Sequence, residues 1–377
     1  MNNESPFQYS LLYKMFHFLT SPFLFILSLI IQSILTLRHF LYDHQILKSH
    51  SFSNVFIIGI GNLNFGGSGK SPLTNYLIEL LKPHYKIAVL SRGYGRKTKG
   101  FRWIQPNDIF YESGDEPLMY KHQHPHIPIA VCENRVTGIK NILQQFPDTQ
   151  IILLDDAFQH RKIKAHLNIV LTEFSKPFFS DAVFPLGTLR DIKKSISRAD
   201  VVIVSKTPEN ASQQHIHQTE IYIKKYTSKD ICFSTIEYQN LYALHNTSHT
   251  ISVHQQLSQY NCILITGIAN PKPLFTYIKE YARYVYPLIY PDHHNFSEKD
   301  MDIIITLWKK WQKEHPPSII ITTEKDAVRL KYFISPDSNM PIFVAPIQMN
   351  FQAFSPTFNH KILNYVATYS ANHSIHS

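Results

Sequence analysis

The chain has 377 residues, of which 44% are hydrophobic, 17% charged and 13% aromatic. That balance supports a folded core in about two to three domains and excludes disordered, collagen-like, low-complexity and disulfide-scaffold classes. Its 37 basic against 28 acidic residues leave a formal charge of +9, which suits a partner bearing phosphate: nucleic acid, an anionic membrane surface or a phosphorylated small molecule.

In chain order, the first feature is an apolar stretch from Phe16 to Leu37, 22 residues without Asp, Glu, Lys or Arg. As a helix it would span about 33 Å, close to the hydrocarbon thickness of a bilayer. Lys14 precedes it and Arg38 and His39 follow. A membrane helix or deep interfacial anchor is the expectation. A buried core helix and a signal peptide are the alternatives, the latter opposed by the absence of a small-residue cleavage site.

Residues 54–60 then read as a short apolar strand, followed by a glycine-rich loop and the helical run SPLTNYLIELL. Further apolar strands are expected at 85–91, 127–132, 151–154, 167–172 and 200–205. Unbroken apolar strands alternating with helices indicate a parallel sheet covered on both faces. From about 207 to 250 the chain turns polar, with two strand-like pieces, ICFSTIEY and LYALHN. A second strand-to-helix series begins at NCILITGIANP (261–271) and continues through RYVYPLIY and SIIITTEKDAVRL. The fold class expected is therefore α/β: a P-loop, Rossmann-like domain and a second, smaller α/β domain, with the N-terminal apolar helix.

The glycines locate the chemistry. Only 12 are present, and eight of them fall between Gly59 and Gly100. The loop Gly61-Asn62-Leu63-Asn64-Phe65-Gly66-Gly67-Ser68-Gly69-Lys70-Ser71 follows a strand and opens a helix, the context of a phosphate-binding loop. Asn64, Gly66, Gly67, Ser68, Gly69, Lys70 and Ser71 are the candidate nucleotide-binding residues. Backbone N–H groups and the helix N-terminus would hold phosphate, Lys70 would reach the β and γ phosphates, and the Ser71 hydroxyl would bind Mg²⁺. Asn64 stands where the strict pattern has glycine. The run Ile151-Ile152-Leu153-Leu154-Asp155-Asp156 reads as the matching acidic strand end, with either Asp155 or Asp156 on Mg²⁺. No Asn-Lys-x-Asp guanine signature is present.

Charged clusters follow several strands: SRGYGR (91–96), GDEP (114–117), NRVTG (134–138), DAFQHR (156–161) and FPLGTLRD (184–191). In a doubly wound sheet such loops converge on the ligand crevice. Arg92, Arg96, Arg135, Arg161 and Arg190 are candidates for phosphate contacts. Lys14, Arg38 and Lys48 are candidates for anionic headgroups. Cys132, Cys232 and Cys262 have no zinc spacing and fit a reducing compartment. No helix-turn-helix or RNP signature supports nucleic-acid binding. A membrane-tethered ATPase acting on a partner remains open on the anchor and phosphate loop alone.

Taken together, GNLNFGGSGKSP, SRGYGR, GDEP, NRVTG, LLDDAFQH, FPLGTLRD, ITGIANP, PDHH and TTEKDAVRL resemble the tetraacyldisaccharide 4′-kinase (lipid A 4′-kinase) family over residues 55–330. The resemblance implies ATP- and Mg²⁺-dependent phosphorylation of the 4′-hydroxyl of an acylated disaccharide 1-phosphate. It implies action at the cytoplasmic face of the bacterial inner membrane, with no nucleic acid and no obligate protein partner. It further implies an anchor over 1–42, a P-loop kinase domain over 43–230, a two-stranded linker over 231–252 and a smaller α/β domain over 253–377. By motif, Asp115 corresponds to the acid that activates the sugar hydroxyl and His293 to its partner from the second domain. Ser68, Lys70 and Ser71 belong to the phosphate loop, and Asp155 and Asp156 are the Mg²⁺ acids. The sequence departs from the family at Ala157, usually glycine, and at Asp191, usually glutamate.

Overall fold

The computed structural model describes residues 6–338 and 340–373, with side chains from Pro22 to Ala371 within that range. Lys14 and the first six residues of the apolar stretch therefore lie outside the described side chains, and 1–5 and 374–377 lie outside the described residues.

Eight strands form the larger sheet: β1 Phe56–Asn62, β2 Ile87–Ser91, β3 Arg102–Trp103, β4 Ile129–Val131, β5 Ile151–Leu154, β6 Leu167–Glu173, β7 Val201–Ser205 and β8 Asp230–Phe233. Their order is β3-β4-β2-β5-β1-β6-β7-β8, all parallel except the β3–β4 pair. β1 is buried at every residue, as its sequence FIIGIGN requires of a central strand covered on both faces. Sheet order reverses around β1, so the loop after it opens into the crevice where ligands of doubly wound sheets bind.

The second sheet holds β10 Leu241–Ala243, β11 Asn246–Ile251, β12 Asn261–Thr266, β13 Tyr284–Ile289, β14 Ser318–Thr323 and β15 Ile342–Ala345, in the order β11-β10-β15-β14-β12-β13. A two-stranded ribbon pairs β9 (Thr235–Tyr238) with β16 (Ile347–Asn350) in antiparallel register. So the chain passes between the two sheets twice, side by side.

This division differs from the expected one in three places. β8 completes the larger sheet. The polar segment after it supplies β10 and β11 to the edge of the smaller sheet, so its strands are not a free-standing connection. The C-terminal helix Phe358–His373 returns to the larger sheet. Phe358, Ile362, Val366 and Tyr369 recur every three or four residues, line one helix face and join the core around Phe56 and Leu77. Each such burial contributes about 2 kcal/mol. Tyr369 Oη also donates to Ser53 O at 3.0 Å.

The N-terminal helix spans Pro6–Asp43. Its segment from Pro22 to Asp43 is long and apolar enough to cross a membrane, and only 11% of the apolar window is covered by the rest of the chain. Phe23, Ile26, Ile34 and Leu37 are each more than half exposed. It is therefore not a core helix. Its other face is fastened: Ile31 and Leu35 pack against the core below β6 and β7, and Ser28 Oγ donates to Val183 O at 2.7 Å.

Candidate active site at the junction of the two sheets

The phosphate loop leaves β1 and enters the helix Lys70–Leu81, whose Leu73, Leu77, Ile78 and Leu81 face the core. Gly69 is the turning point: its φ of 88° lies in the left-handed region that glycine enters without strain. Asn64 does not serve as a flexible hinge. Its amide donates to Asp181 Oδ2 at 2.9 Å, and its backbone bridges Leu189. This ties the loop to the segment 181–190, which explains how asparagine replaces glycine there. Ser205 Oγ holds Ser68 O at 2.7 Å. Gly66 and Gly67 face open space.

Lys70 Nζ donates to Asn62 Oδ1 at 3.1 Å and lies 3.5 Å from Asp156 Oδ1. The two acids after β5 have different surroundings. Asp156 adopts φ 48°, a left-handed conformation that aspartate tolerates better than most residues. That turn points its carboxylate at Arg190, whose Nη1 donates to Oδ2 at 2.9 Å. Burial opposes its ionisation, but the Arg190 bond and the Lys70 and Arg190 charges prevail and hold it below the usual range. The positive φ falls on Asp156, so Ala157 needs no glycine-like freedom.

Asp155 is fully buried. Its Oδ2 receives Tyr120 Oη at 3.3 Å, and its Oδ1 has no partner. Burial, with Glu116 and Asp156 adding repulsion, raises its carboxyl to about 7.

Glu116 is the residue that sequence reasoning missed. It sits in the helix Asp115–Gln123. Its Oε1 accepts from Ser71 Oγ at 3.0 Å and from Lys325 Nζ at 2.5 Å. Two adjacent acids in GDEP were the available signal, but one only was assigned. Gly114 before them has φ 86°, and a Cβ there would meet Gly93 at 3.2 Å. The GDEP and SRGYGR loops thus interlock through glycines.

Asp115 lies across from His293, whose Nδ1 is 3.1 Å from Asp115 Oδ2. Burial pushes the Asp115 carboxyl up, yet the His293 bond and the Lys325 and Arg329 charges outweigh it and bring it to about 2. The His293 imidazole is raised, first by its hydrogen bond to Asp115. His293 itself has φ 56°, a conformation retained where surrounding contacts overdetermine it.

The five arginines separate. Arg190 is at the phosphate loop, bonding Asn62 Oδ1 at 2.5 Å as well as Asp156. Arg92 is exposed beside the crevice loop. Arg135 is 2% exposed and bonds Cys132 O at 2.8 Å and Asp155 O at 3.3 Å, bracing the acidic strand end. Arg96 pairs with Glu133 at 2.6 Å. Arg161 pairs with Asp43 at 2.6 Å, at the foot of the N-terminal helix. There His39 Nε2 meets Asp191 Oδ1 at 2.6 Å, while Ser195 and Arg198 also bond that carboxylate. Asp191 is fully buried, so it fastens the helix to the residue next to Arg190.

A parallel sheet with a glycine-rich loop, its lysine and an acidic partner strand defines a nucleotide-binding enzyme of the P-loop class. The sequence profile described as tetraacyldisaccharide-1-P 4′-kinase, LpxK, matches residues 20–367. The chain belongs to this family of kinases. It is 38% identical over 345 residues to the tetraacyldisaccharide 4′-kinase of Flavobacterium johnsoniae, covering 91% of this chain and 96% of that one. It is 36% identical over 362 residues to that of Bacteroides thetaiotaomicron, covering 93% and 94%. Its fold matches the crystal structure of LpxK from Aquifex aeolicus in complex with ATP, with a TM-score of 0.69 at 24% identity over 93% of this chain and 98% of that chain.

Proposed function

We propose that this kinase transfers the γ-phosphoryl group of ATP to the 4′-hydroxyl of a tetraacylated glucosamine disaccharide 1-phosphate. The observation that carries the reading is the Asp115–His293 pair, contributed by both sheets and adjoining Ser71 through Glu116. The sugar oxygen attacks the γ-phosphorus, the bond to the bridging β–γ oxygen breaks, and ADP leaves. The hydroxyl proton passes to the Asp115–His293 pair. In a loose transition state the hydroxyl becomes acidic late, so its positioning matters more than early proton removal. An ionised Asp115 accepts the hydroxyl as a hydrogen-bond donor, and His293 keeps that carboxylate oriented.

Lys70, Arg190 and the backbone around Gly66, Gly67, Ser68 and Gly69 would hold the triphosphate. Ser71, Asp155 and Glu116 form a hard oxygen set suited to Mg²⁺, with phosphate and water completing the shell. Among the described residues no group of three or more His, Cys, Asp or Glu side chains is placed to hold a metal ion, so the proposed set rests on two carboxylates and a hydroxyl. Mg²⁺ would neutralise charge on the β and γ phosphates. Asp156, turned to Arg190 and Lys70, would orient the cations and not the metal. The exposed apolar face of the segment from Pro22 to Asp43 would hold the enzyme on the bacterial inner membrane, with both sheets on the cytoplasmic face. We divide the chain functionally into this anchor, a P-loop unit that includes the C-terminal helix, the strand ribbon, and an acceptor unit that brings His293.

The test is incubation of the purified protein with γ-labelled ATP, Mg²⁺ and tetraacyldisaccharide 1-phosphate, followed by mapping of the new phosphate. Label on the 4′-oxygen is expected. Label elsewhere on the sugar, or hydrolysis indifferent to the acceptor, contradicts the reading.

A further inference from the structure

The run TTEKDAVRL places the short helix Glu324–Leu330 of the smaller sheet directly on the helix Asp115–Gln123 of the larger one. Lys325 and Arg329 are four residues apart, on one helical face. Lys325 Nζ bonds Glu116 Oε1 at 2.5 Å. The Arg329 guanidinium, 2% exposed, has Nη2 3.5 Å from Asp115 Oδ2 and 3.4 Å from Asp326 Oδ1. Its Nη1 donates to His294 O at 2.8 Å. Asp326 Oδ2 in turn accepts from Gly267 N at 2.9 Å and Thr323 Oγ1 at 2.7 Å, and Gly267 O accepts from His293 N at 3.0 Å. Two ties of the His293 loop therefore run through this helix, one from Arg329 to His294 and one from Asp326 through the Gly267 turn, beside the separate His294–Asp300 bond.

Two neighbouring carboxylates, Asp115 and Glu116, sit together in partly dehydrated surroundings. Each is matched by one cation from the opposite sheet. The Arg329 fork reaches the Asp115 carboxylate with one nitrogen and the carbonyl of His294, the residue after His293, with the other, a geometry that a lysine point charge cannot reproduce.

We infer that Arg329 and Lys325 are positioning residues of the kinase reaction: Arg329 sets the Asp115–His293 pair in register with the phosphate loop, and Lys325 sets Glu116. This rests on the reading of Asp115 and His293 given above. Neither cation touches the acceptor; both act through the acids.

Steady-state kinetics of the full-length protein in mixed micelles of tetraacyldisaccharide 1-phosphate, with Mg²⁺ and ATP, test the assignment. Arg329→Met is expected to lower kcat about 30- to 100-fold, the scale of an ångström of misplacement, with the KM for ATP within about twofold. Arg329→Lys recovers part of the loss. In an Asp115→Ala, His293→Ala background, Arg329→Met adds less than about threefold, because the pair it positions is gone. Lys325→Met lowers kcat about tenfold through Glu116, and Lys325→Arg restores part of it. Equal losses for Arg329→Met in both backgrounds, or an effect confined to the KM for ATP, overturn the role of Arg329. Wild-type kcat in Lys325→Met overturns that of Lys325. If Arg329→Met shows no cooperative melting transition, Arg329→Lys is read in the same two backgrounds by the same criterion. Wild-type turnover in His293→Ala alone would instead remove the acid-pair reading on which the inference stands.

Discussion

The two sheets contribute to one site in different ways. On the larger sheet the functional groups follow one another along short stretches of chain: the phosphate loop after β1, Asp155 and Asp156 after β5, Arg190 shortly before β7. On the smaller sheet the groups are scattered, and they acquire their roles through contacts across the junction. His293 reaches Asp115, Lys325 reaches Glu116, Arg329 reaches Asp115, and Gln123 bonds Glu324. On the proposed reading the larger sheet would hold the donor by local geometry, and the smaller sheet would complete the acceptor side through direct contacts between segments distant in the sequence. A kinase built this way gains reactivity only where both parts meet, which suits sequestration of phosphoryl transfer from water.

Several substitutions sharpen that contrast. The largest effect is expected at Lys70, the local half of the site. Lys70→Ala removes the lysine that would span the β and γ phosphates and releases Asp156, so transfer of label to the acceptor should fall by about a thousandfold or more. Retention of a tenth of wild-type turnover would break the phosphate-loop reading.

Next come the paired acids. Asp155 has the unpartnered oxygen, and Asp156 has the arginine. Asp155→Asn should lower kcat about a hundredfold and raise the Mg²⁺ concentration needed for half-maximal rate, whereas Asp156→Asn should leave that Mg²⁺ requirement within about threefold. The reverse order of Mg²⁺ requirements would exchange their roles.

A smaller effect belongs to the anchor. His39 is 7% exposed and bonds Asp191. His39→Ala deprives a buried carboxylate of one donor while Arg198 and Ser195 remain, so a loss of about 2 kcal/mol is expected in chemical denaturation. An unchanged midpoint would show that the helix is not fastened through this pair.

The smallest effect is a pH dependence at the junction. Burial raises the Glu324 carboxyl from its ordinary 4.5 to about 7. Between those values the unfolded chain releases this proton and the folded protein retains it. The contribution therefore falls as pH rises from 4.5 to 7, and a penalty persists above. Glu324→Gln should raise the melting temperature at about pH 8 and leave it nearly unchanged at about pH 4.5. A shift equal at both pH values would contradict the assignment.

The same contrast explains what could be read from the residues alone. The strands of the larger sheet and the phosphate loop are legible because apolar runs, glycines and helix starts are local signals. β11 escaped because NTSHTI is polar and exposed over five of its six residues, so no hydrophobic pattern marks it. The packing of the C-terminal helix on the larger sheet is not legible in the sequence, because an apolar face does not name its partner. The family motifs led to Asp115 and His293, but not to Glu116, Lys325 or Arg329, whose significance is a distance between segments some 200 residues apart. Asp191 was an unexplained departure from the family. Its partner, His39, belongs to a helix that sequence marks only as apolar.

The central claim is that Asp115 and His293 act as one unit assembled from both sheets. Single-turnover transfer with saturating Mg²⁺ and ATP, measured for Asp115→Ala, His293→Ala and the double variant, tests it most directly. Each single variant should slow transfer by about a hundredfold or more, and the double variant should be little slower than the worse single one. Losses that multiply in the double variant, or wild-type rates in either single variant, would contradict it.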